Sequence, residues 1–465
     1  MSKQVSNVKK SNQNMLQGPL VGNIILYTIP IILTSLLQLL FNAADLVVVG
    51  RFCGSVSVAA VGATGSITNL IVNLFIGLSV GAGVTVAHAL GGREEEAVRR
   101  TVHTALPAAL VSGVILTVVG VTYSGTFLRL MDTPENVLPL SATYMKIYFG
   151  GITFTMVYNF CASILRAAGD TKSPLIFLTI AGVVNVVLNV FFVRALHMNV
   201  AGVALATIIS QGISAAAMVI VLMRRADACK LDLRKIRFYK EPLLKMLRIG
   251  LPAGIQSSLF AISNVLIQSS VNSFGQVLMS GNAAAANIEG FVYVMLNAFH
   301  QTAVNFIGQN VGAHQYKRVY KTLWICLGCV VVVGLGAGLL AWSLGQQLLS
   351  IYITDSAEAI SYGMIRLGFV CIPYFLCGLM DVSTGALRGM GSSLAPMIIS
   401  VLGVCGIRIG WIATIFRMPQ YHTPQCLYFS YTVSWLLTFA IQLAAFMIVY
   451  RKHTRQYGRL YAREV

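Results

Sequence analysis

Three carboxylates lie inside long apolar stretches of this 465-residue sequence, namely Asp45, Glu289 and Asp381. Acidic residues are scarce, 15 in all, and the others fall in polar loops and tails. Placing a carboxylate within hydrocarbon costs at least about 2.5 kcal/mol, so such residues are typically kept where they bind a proton, a cation or a charged ligand. Each of the three is therefore a candidate functional residue.

Asp45 has polar neighbours at its own depth. It precedes Arg51, at the outer end of its helix, by six positions, or about 9 Å at 1.5 Å per residue. Asn185 and Asn189 share one helix face, and Thr207 falls at a similar depth on the next helix. We predict that Asp45 and these three residues form an ion-coupling site. Their oxygens suit Na⁺, held by Asp45, Asn185 and Thr207, and a buried carboxylate also suits H⁺.

A structural interpretation of the same cluster also stays open, because amides and hydroxyls commonly join membrane helices through hydrogen bonds. Glu289 has two interpretations as well: it pairs with a cationic substrate, or it lies near a helix N-terminus in a wet vestibule. Asp381 is matched by Asn159 in the repeat described below, which favours a structural role. The residues predicted to line a substrate cavity are Gln38, Asn42, Asn159, Gln256, Asn264, Glu289 and Met295.

The elements that carry these residues are membrane helices. Hydrophobic residues make up 56% of the chain and charged residues 10%, whereas a soluble domain has about 25% charged residues. Stretches of about 20 apolar residues are long enough to cross a bilayer. We predict an all-α integral membrane protein with twelve transmembrane helices, at 22–49, 57–90, 101–123, 138–165, 174–194, 200–223, 246–274, 282–311, 322–350, 360–387, 394–416 and 426–450.

The sequence contains two copies of one six-helix unit, about 222 positions apart. The repeated residues are Pro30, Ser35, Asn42, Leu165, Arg166, Gly169 and Pro174, which recur as Pro252, Ser257, Asn264, Leu387, Arg388, Gly391 and Pro396. The polar cluster is not repeated, since Ile267 stands opposite Asp45 and Ile407 opposite Asn185. We therefore expect ion coupling in the first copy, and substrate binding and hinging mainly in the second.

The distribution of basic residues predicts the topology. Placing both termini in the cytoplasm puts most of the 33 Lys and Arg residues on that side. Six helices per copy then make the two bundles parallel, related by a pseudo-two-fold axis along the membrane normal. The predicted segments are a cytoplasmic tail (1–21), a six-helix lobe (22–223), a cytoplasmic linker (224–245), a second six-helix lobe (246–450) and a cytoplasmic tail (451–465).

Several function classes are disfavoured. Basic loops facing anionic lipid account for the net charge of +18, so no nucleic-acid partner is expected. No HExxH, GxGD or Ser/His constellation appears, which argues against an intramembrane enzyme. We expect a monomeric, multi-pass protein of the plasma membrane (a bacterial cell inner membrane), with no cofactor other than a coupling H⁺ or Na⁺.

Three segments resemble the multidrug and toxic compound extrusion (MATE) family. They are Phe-Asn-Ala-Ala-Asp-Leu-Val-Val-Val-Gly at 41–50, Leu-Arg-Ala-Ala-Gly-Asp-Thr-Lys at 165–172 and Ile-Gly-Gln-Asn-Val-Gly at 307–312. The bacterial DinF-like branch is most similar, since the second copy lacks the membrane acids of NorM-like members.

The resemblance implies that Asp45, Asn185 and Thr207 occupy the family's ion-coupling positions. It also implies a departure: Asn189 stands where the branch usually has a second carboxylate. One carboxylate leaves no two-acid proton relay, so we expect one coupling cation per cycle.

The function implied is a secondary active multidrug exporter. It exchanges organic, often cationic and amphipathic, compounds for H⁺ or Na⁺ by alternating access. The alternative is a flippase for a lipid-linked oligosaccharide or another amphipathic lipid. Such a protein is expected to line its cavity with basic residues for pyrophosphate, and the segments at cavity depth contain almost none.

Overall fold

The structure, a computed structural model, describes residues 14–131, 133–354 and 356–464. Most of the predicted tail 1–21 lies outside the described residues. The α-helices are α1 Leu20–Cys53, α2 Ser55–Gly91, α3 Glu95–Leu130, α4 Leu138–Gly150, α5 Ile152–Ala167, α6 Lys172–Val190, α7 Asn199–Arg224, α8 Lys240–Asn272, α9 Gln276–Gly312, α10 Tyr316–Ser343, α11 Gly345–Tyr352, α12 Ala357–Arg366, α13 Tyr374–Gly389, α14 Leu394–Ser400, α15 Ile407–Ala413 and α16 Pro424–Glu464. Three π-helical turns extend or join them, at Phe191–Ala195, Leu367–Cys371 and Val401–Gly406. Short 3₁₀ turns lie at Leu233–Lys235, Ile415–Arg417 and Pro419–Tyr421.

The predicted all-α membrane fold is confirmed. Nine spans in the described residues are long and apolar enough to cross a membrane, and two bent helix pairs raise the number to eleven. The pairs are α4 with α5, bent by 47°, and α12 with α13, bent by 40°. Each pair is the fourth span of its copy. Helix α9, 37 residues long, occupies the remaining predicted span, so the chain is a twelve-helix, multi-pass membrane protein.

The two copies share their tight turns. Gly169 and Gly391 have φ of 86° and 82°, in the left-handed region that glycine adopts without strain. In both turns the residue after the glycine donates its N–H to a carbonyl of the preceding helix, at 2.8 Å from Asp170 to Leu165 and at 3.0 Å from Ser392 to Leu387. This pattern satisfies carbonyls that a helix end leaves unpaired. The repeated segments therefore end their helices with the same turn in both copies.

The chain packs as two compact units that do not coincide with its two sequence copies. The described body of the first unit is Ile29–Gly254, and the second unit contains Met15–Thr28 together with Ile255–Val465. Both divisions fall inside a helix, α1 or α8, beside Pro30 or Pro252, where the proline lacks the N–H of a regular helical bond. Each unit therefore includes the first turns of the other copy's first helix.

Equivalent contacts hold these exchanged turns. In the second unit, the hydroxyls of Thr28 and Thr302 are 2.8 Å apart. In the first unit, the matching positions are both glycines: a Cβ on Gly81 would lie 2.9 Å from the backbone nitrogen of Gly250. Small residues allow helix backbones to approach this closely. The equivalent helix contact is thus made by two threonine hydroxyls in the second unit and by two glycines in the first.

The linker between the copies is anchored on the first turns of α3. The backbone N–H of Asp232 donates to His103 Nε2 at 3.0 Å, and that of Tyr239 donates to Thr104 Oγ1 at 3.2 Å. His103 Nδ1 lies 2.6 Å from the carbonyl oxygen of Arg99, which can only accept, so the ring carries its proton on Nδ1. Cys229 is fully buried under this anchor, and burial raises the pKa of its thiol to about 12.

Cys229 is expected to report on linker docking. A buried thiol is almost entirely protonated at pH 7.5 and reacts slowly, because the thiolate is the nucleophile. His103→Ala leaves the Asp232 N–H unpaired at a cost of about 1–3 kcal/mol, so N-ethylmaleimide labelling of Cys229 should accelerate about fivefold or more. Peptide mapping by mass spectrometry measures each cysteine separately, with the half-buried Cys426 as internal control. Equal wild-type labelling of Cys229 and Cys426 contradicts the docked linker.

Candidate functional site

The structure brings the four predicted ion-coupling residues into one hydrogen-bonded chain. Asn189 Nδ2 donates to the Asp45 carboxylate and also contacts Asn185 Oδ1 at 3.2 Å. Asn185 Nδ2 in turn points at Thr207 Oγ1, at 3.5 Å. The depth argument therefore placed these side chains correctly relative to one another, although their role in ion coupling stays a prediction.

Three helices of the first unit position this chain. Asp45 is half-buried on α1, while Asn185 and Asn189 are 5% and 0% exposed on α6. Thr207 lies on α7, with its hydroxyl donating to the carbonyl of Val203 at 2.9 Å. The π-helical turn Phe191–Ala195 begins two residues after Asn189. Such turns interrupt the regular helix and frequently mark functional sites.

The cluster has the chemistry to accept a small cation or a proton. Among the described residues, no basic side chain lies within 4 Å of Asp45, so its carboxylate has no internal counter-ion. Asn189 Oδ1 is buried without a hydrogen-bond partner among the same residues. A free buried carbonyl oxygen beside an uncompensated carboxylate suits a hard cation. A proton on Asp45 would remove the charge instead.

Glu289 in the second unit is already neutralised from within. Arg366 binds it with two parallel hydrogen bonds, Nε to Oε1 at 2.6 Å and Nη2 to Oε2 at 2.7 Å. Arg366 Nη1 also donates to Asn282 Oδ1, which accepts the Tyr428 hydroxyl at 3.0 Å. Both charged side chains are buried. Glu289 is thus part of a closed ion pair, and neither interpretation made from the sequence anticipated its partner.

A second buried polar group surrounds Arg388. Its Nη2 donates to Gln256 Oε1 at 2.8 Å, and its Nη1 lies 3.4 Å from His300 Nε2. His300 Nδ1 contacts the backbone oxygen of Asp381 at 2.6 Å. One carboxylate oxygen of Asp381 is buried with no hydrogen-bond partner among the described residues. Gln256, a predicted cavity residue, therefore binds Arg388.

Among the described residues, no hydrogen bond joins the other predicted cavity residues to one another. Gln38 and Asn42 are exposed on α1, and Asn264 is exposed on α8. Asn159 is half-buried and donates to the Thr155 carbonyl of its own helix at 2.8 Å. Met295 is half-buried on α9. Their assignment to a substrate cavity stays a prediction.

The expectation that the segments at cavity depth contain almost no basic residues overlooked buried arginines in the second copy. Arg366, Arg388 and Arg408 are buried in it, at 7%, 6% and 4% exposure. From the sequence, Arg388 was noted only as a repeated residue, and Arg366 and Arg408 were left out because carboxylates alone were considered. The same rule, that an ionisable residue inside an apolar span needs a partner or a function, identifies Arg366 and Arg408 from the sequence.

Breaking the Glu289–Arg366 pair should destabilise the protein strongly. Glu289→Gln leaves a buried guanidinium without its counter-charge, at a cost of about 3–5 kcal/mol. The matched control is Glu358→Gln, which changes an exposed acid in the first turn of the helix that ends at Arg366. Thermal unfolding in detergent measures both variants. The double variant Glu289→Leu/Arg366→Met, which removes both charges, should lose less; equal melting of Glu289→Gln and Glu358→Gln contradicts this account.

Comparison with known proteins gives the family. The chain is 26% identical to the probable multidrug resistance protein YoeA of Bacillus subtilis over 391 residues, 83% of this chain and 84% of that protein. It is 28% identical to the probable multidrug resistance protein YpnP of the same organism, with 85% and 88% covered. It has the fold of a multidrug resistance MATE family transporter of the MOP superfamily solved in an outward-facing conformation, with a TM-score of 0.89, 20% identity, and 96% and 99% of the two chains covered.

The MatE family profile matches this sequence twice, at residues 30–191 and 252–412. The two matches start 222 positions apart and fall on the two sequence copies. They take in most of the chain, including Asp45, Asn185 and Asn189. The resemblance seen in the sequence is confirmed: this chain belongs to the MatE family of MATE transporters.

Proposed function

We propose that this protein is a secondary active exporter of organic, amphipathic compounds, driven by H⁺ or Na⁺ through the first unit. The observation that carries the proposal is the contact between Asp45, which has no counter-ion among the described residues, and the buried Asn189. The names of the two Bacillus relatives, both probable multidrug resistance proteins, support the substrate class. We place the protein in the plasma membrane with both termini in the cytoplasm.

The coupling ion acts through its different affinity for two conformations. Asp45 takes up H⁺ or Na⁺ from outside, which alters the hydrogen bonds that tie α1 to α6 and favours release of the exported compound. Loss of the ion to the cytoplasm restores the starting state. A ligand shifts such an equilibrium only by its differential binding free energy. The chain Asp45–Asn189–Asn185–Thr207 supplies contacts that a bound cation would have to rearrange.

A single carboxylate sets the stoichiometry that we propose. Asn189 contributes hydrogen bonds but no charge, so one Na⁺ or one H⁺ neutralises the site. Na⁺ would use oxygens of Asp45, Asn185 and Thr207, together with the free Oδ1 of Asn189. H⁺ would need Asp45 alone. The two ions are distinguished by which gradient drives export.

The alternative function is movement of a lipid-linked oligosaccharide. Three buried arginines in the second unit bear on it, since a pyrophosphate needs several cations. Arg366 is neutralised by Glu289, and Arg388 donates to Gln256. Arg408 has neither kind of partner among the described residues. A single free guanidinium suits a small organic anion better than a pyrophosphate. We therefore favour export of organic compounds.

Asp45→Asn should abolish gradient-driven export while leaving the fold intact. The substitution keeps the size of the side chain and an acceptor oxygen for Asn189 but cannot bind a proton and carries no charge. Ethidium export from proteoliposomes is measured under an imposed H⁺ or Na⁺ gradient, and the rate should fall to that of protein-free vesicles. The control is Glu95→Gln, which removes an exposed carboxylate from the first turn of α3.

The outcomes separate the alternatives. A wild-type protein that responds to one gradient identifies the coupling ion. Full export by Asp45→Asn rules out the proposed site. Export by wild type that ignores both gradients contradicts coupled transport and points to a flippase.

A further inference from the structure

Among the residues of the second unit whose burial the structure describes, the buried cations outnumber the buried anions by one. The buried cations are Arg366, Arg388 and Arg408, and the buried carboxylates are Glu289 and Asp381. Arg366 neutralises the charge of Glu289 through two hydrogen bonds. Arg388 lies among Gln256, His300 and Asp381, in the cluster described above. With Glu289 bound to Arg366 and Asp381 in the cluster of Arg388, no buried carboxylate of the described residues remains for Arg408.

Arg408 has no carboxylate within 4 Å among the described residues. Its guanidinium lies over two aromatic rings, 4.1 Å from the centroid of Tyr431 and 5.6 Å from that of Trp435. Its Nε donates to the Ser434 hydroxyl at 3.0 Å. Aromatic faces attract a cation but do not cancel its charge. An uncompensated charge in a low-dielectric interior is unfavourable, and an intramembrane arginine that persists there calls for a ligand.

The free donors of Arg408 are not fully enclosed. The terminal nitrogens Nη1 and Nη2 donate to no described residue, yet they are not among the fully enclosed unpaired atoms. The 4% of the residue that is exposed therefore includes them. Two parallel N–H groups on one guanidinium match the two oxygens of a carboxylate. Ser434 thus fixes the Nε side of the guanidinium, while Nη1 and Nη2 remain available to a ligand.

A row of aromatic rings leads from the guanidinium of Arg408 to the surface of the unit. The ring of Trp435 lies 5.2 Å from that of Tyr374, which lies 6.3 Å from Tyr293. Tyr293 is 38% exposed. A ligand that fits such a row carries an aromatic or other flat apolar body next to its anionic group. The charge is also confined to one copy, since the position matching Arg408 is Val186.

The backbone is irregular at the same place. The π-helical turn Val401–Gly406 ends two residues before Arg408 and interrupts the span formed by α14 and α15. A second π turn begins two residues after Asn189 of the ion-coupling cluster, and a third begins directly after Arg366. Each π turn in the described residues thus adjoins a buried polar side chain, and such turns frequently mark functional sites.

We propose that Arg408, with Ser434, Tyr431 and Trp435, forms an anion-binding subsite that accepts the carboxylate of an aromatic amphiphile. The subsite lies in the second unit and rests on the export function proposed above. Within the organic, amphipathic compounds proposed above, it specifies one chemical class, compounds that carry a carboxylate beside an aromatic body. Arg408 binds the carboxylate through Nη1 and Nη2, and the aromatic row holds the apolar body.

The test compares two probes that differ in charge and little else, 1-naphthaleneacetate and the neutral 1-naphthaleneacetamide. Equilibrium dialysis with the full-length protein in low-salt detergent buffer gives both dissociation constants. We expect the wild type to bind the carboxylate at least tenfold more tightly than the amide. Arg408→Gln should abolish this preference without weakening the amide. Arg408→Lys should keep part of it, since lysine retains the charge but not the two parallel N–H groups.

The matched control is Arg417→Gln, which removes an exposed arginine a few residues further along the same span. It should leave both constants unchanged. A wild type that binds both probes equally overturns the proposal, even if Arg408→Gln fails to fold. So does an Arg408→Gln protein that is monodisperse and keeps the wild-type preference.

Ethidium export in proteoliposomes is measured on the same preparations, so that the two proposals fail separately. Wild-type export of ethidium without any carboxylate preference contradicts the subsite alone. Carboxylate preference without gradient-driven export of ethidium contradicts the proposed coupling and leaves the subsite in place. Carboxylate preference together with export that survives in Arg408→Gln supports both, because ethidium carries no carboxylate.

Discussion

The hydrocarbon interior offers no water to solvate charge, and this constraint organises every polar feature of the chain. Arg366 and Glu289 satisfy it by binding each other. Asp45 and Arg408 have no such partner among the described residues, and we propose that a ligand from outside the chain completes the electrostatics at each of them. The two units thus place an uncompensated negative charge and an uncompensated positive charge on separate helical bundles.

The repeat shows which parts of a duplicated bundle are free to change. Both copies keep the left-handed glycine turns at Gly169 and Gly391, since another residue there strains the backbone. Buried side chains have diverged instead: Asp45 stands opposite Ile267, and Arg408 opposite Val186. Backbone geometry is common to the copies, while electrostatics differ between them. A duplicated scaffold can therefore hold two chemically distinct sites.

Much of the fold could be predicted from sequence because its signals are local. Apolar length gives the spans, and glycine at fixed offsets gives the turns. The Asp45 cluster was also predictable, since helical rise places residues at equal depth. Contacts between distant helices were not: nothing in the sequence around Glu289 indicates that Arg366, 77 positions later, neutralises it. Nor did apolar length show that α1 and α8 divide between units at Pro30 and Pro252.

The first turns of α1 and α8 pack in the unit formed mainly by the other copy, and this affects the order in which the protein can fold during synthesis. The turn at Thr28 packs on Thr302, which lies 274 residues later in the chain. At about 5–20 residues per second, a ribosome needs about 15–55 s to synthesise that interval. During this time the first turns of α1 are in place without their packing partner, and the first unit is incomplete until Gly254 has emerged. Neither copy can finish packing by itself, so both units reach their final packing only after parts of both copies have been synthesised.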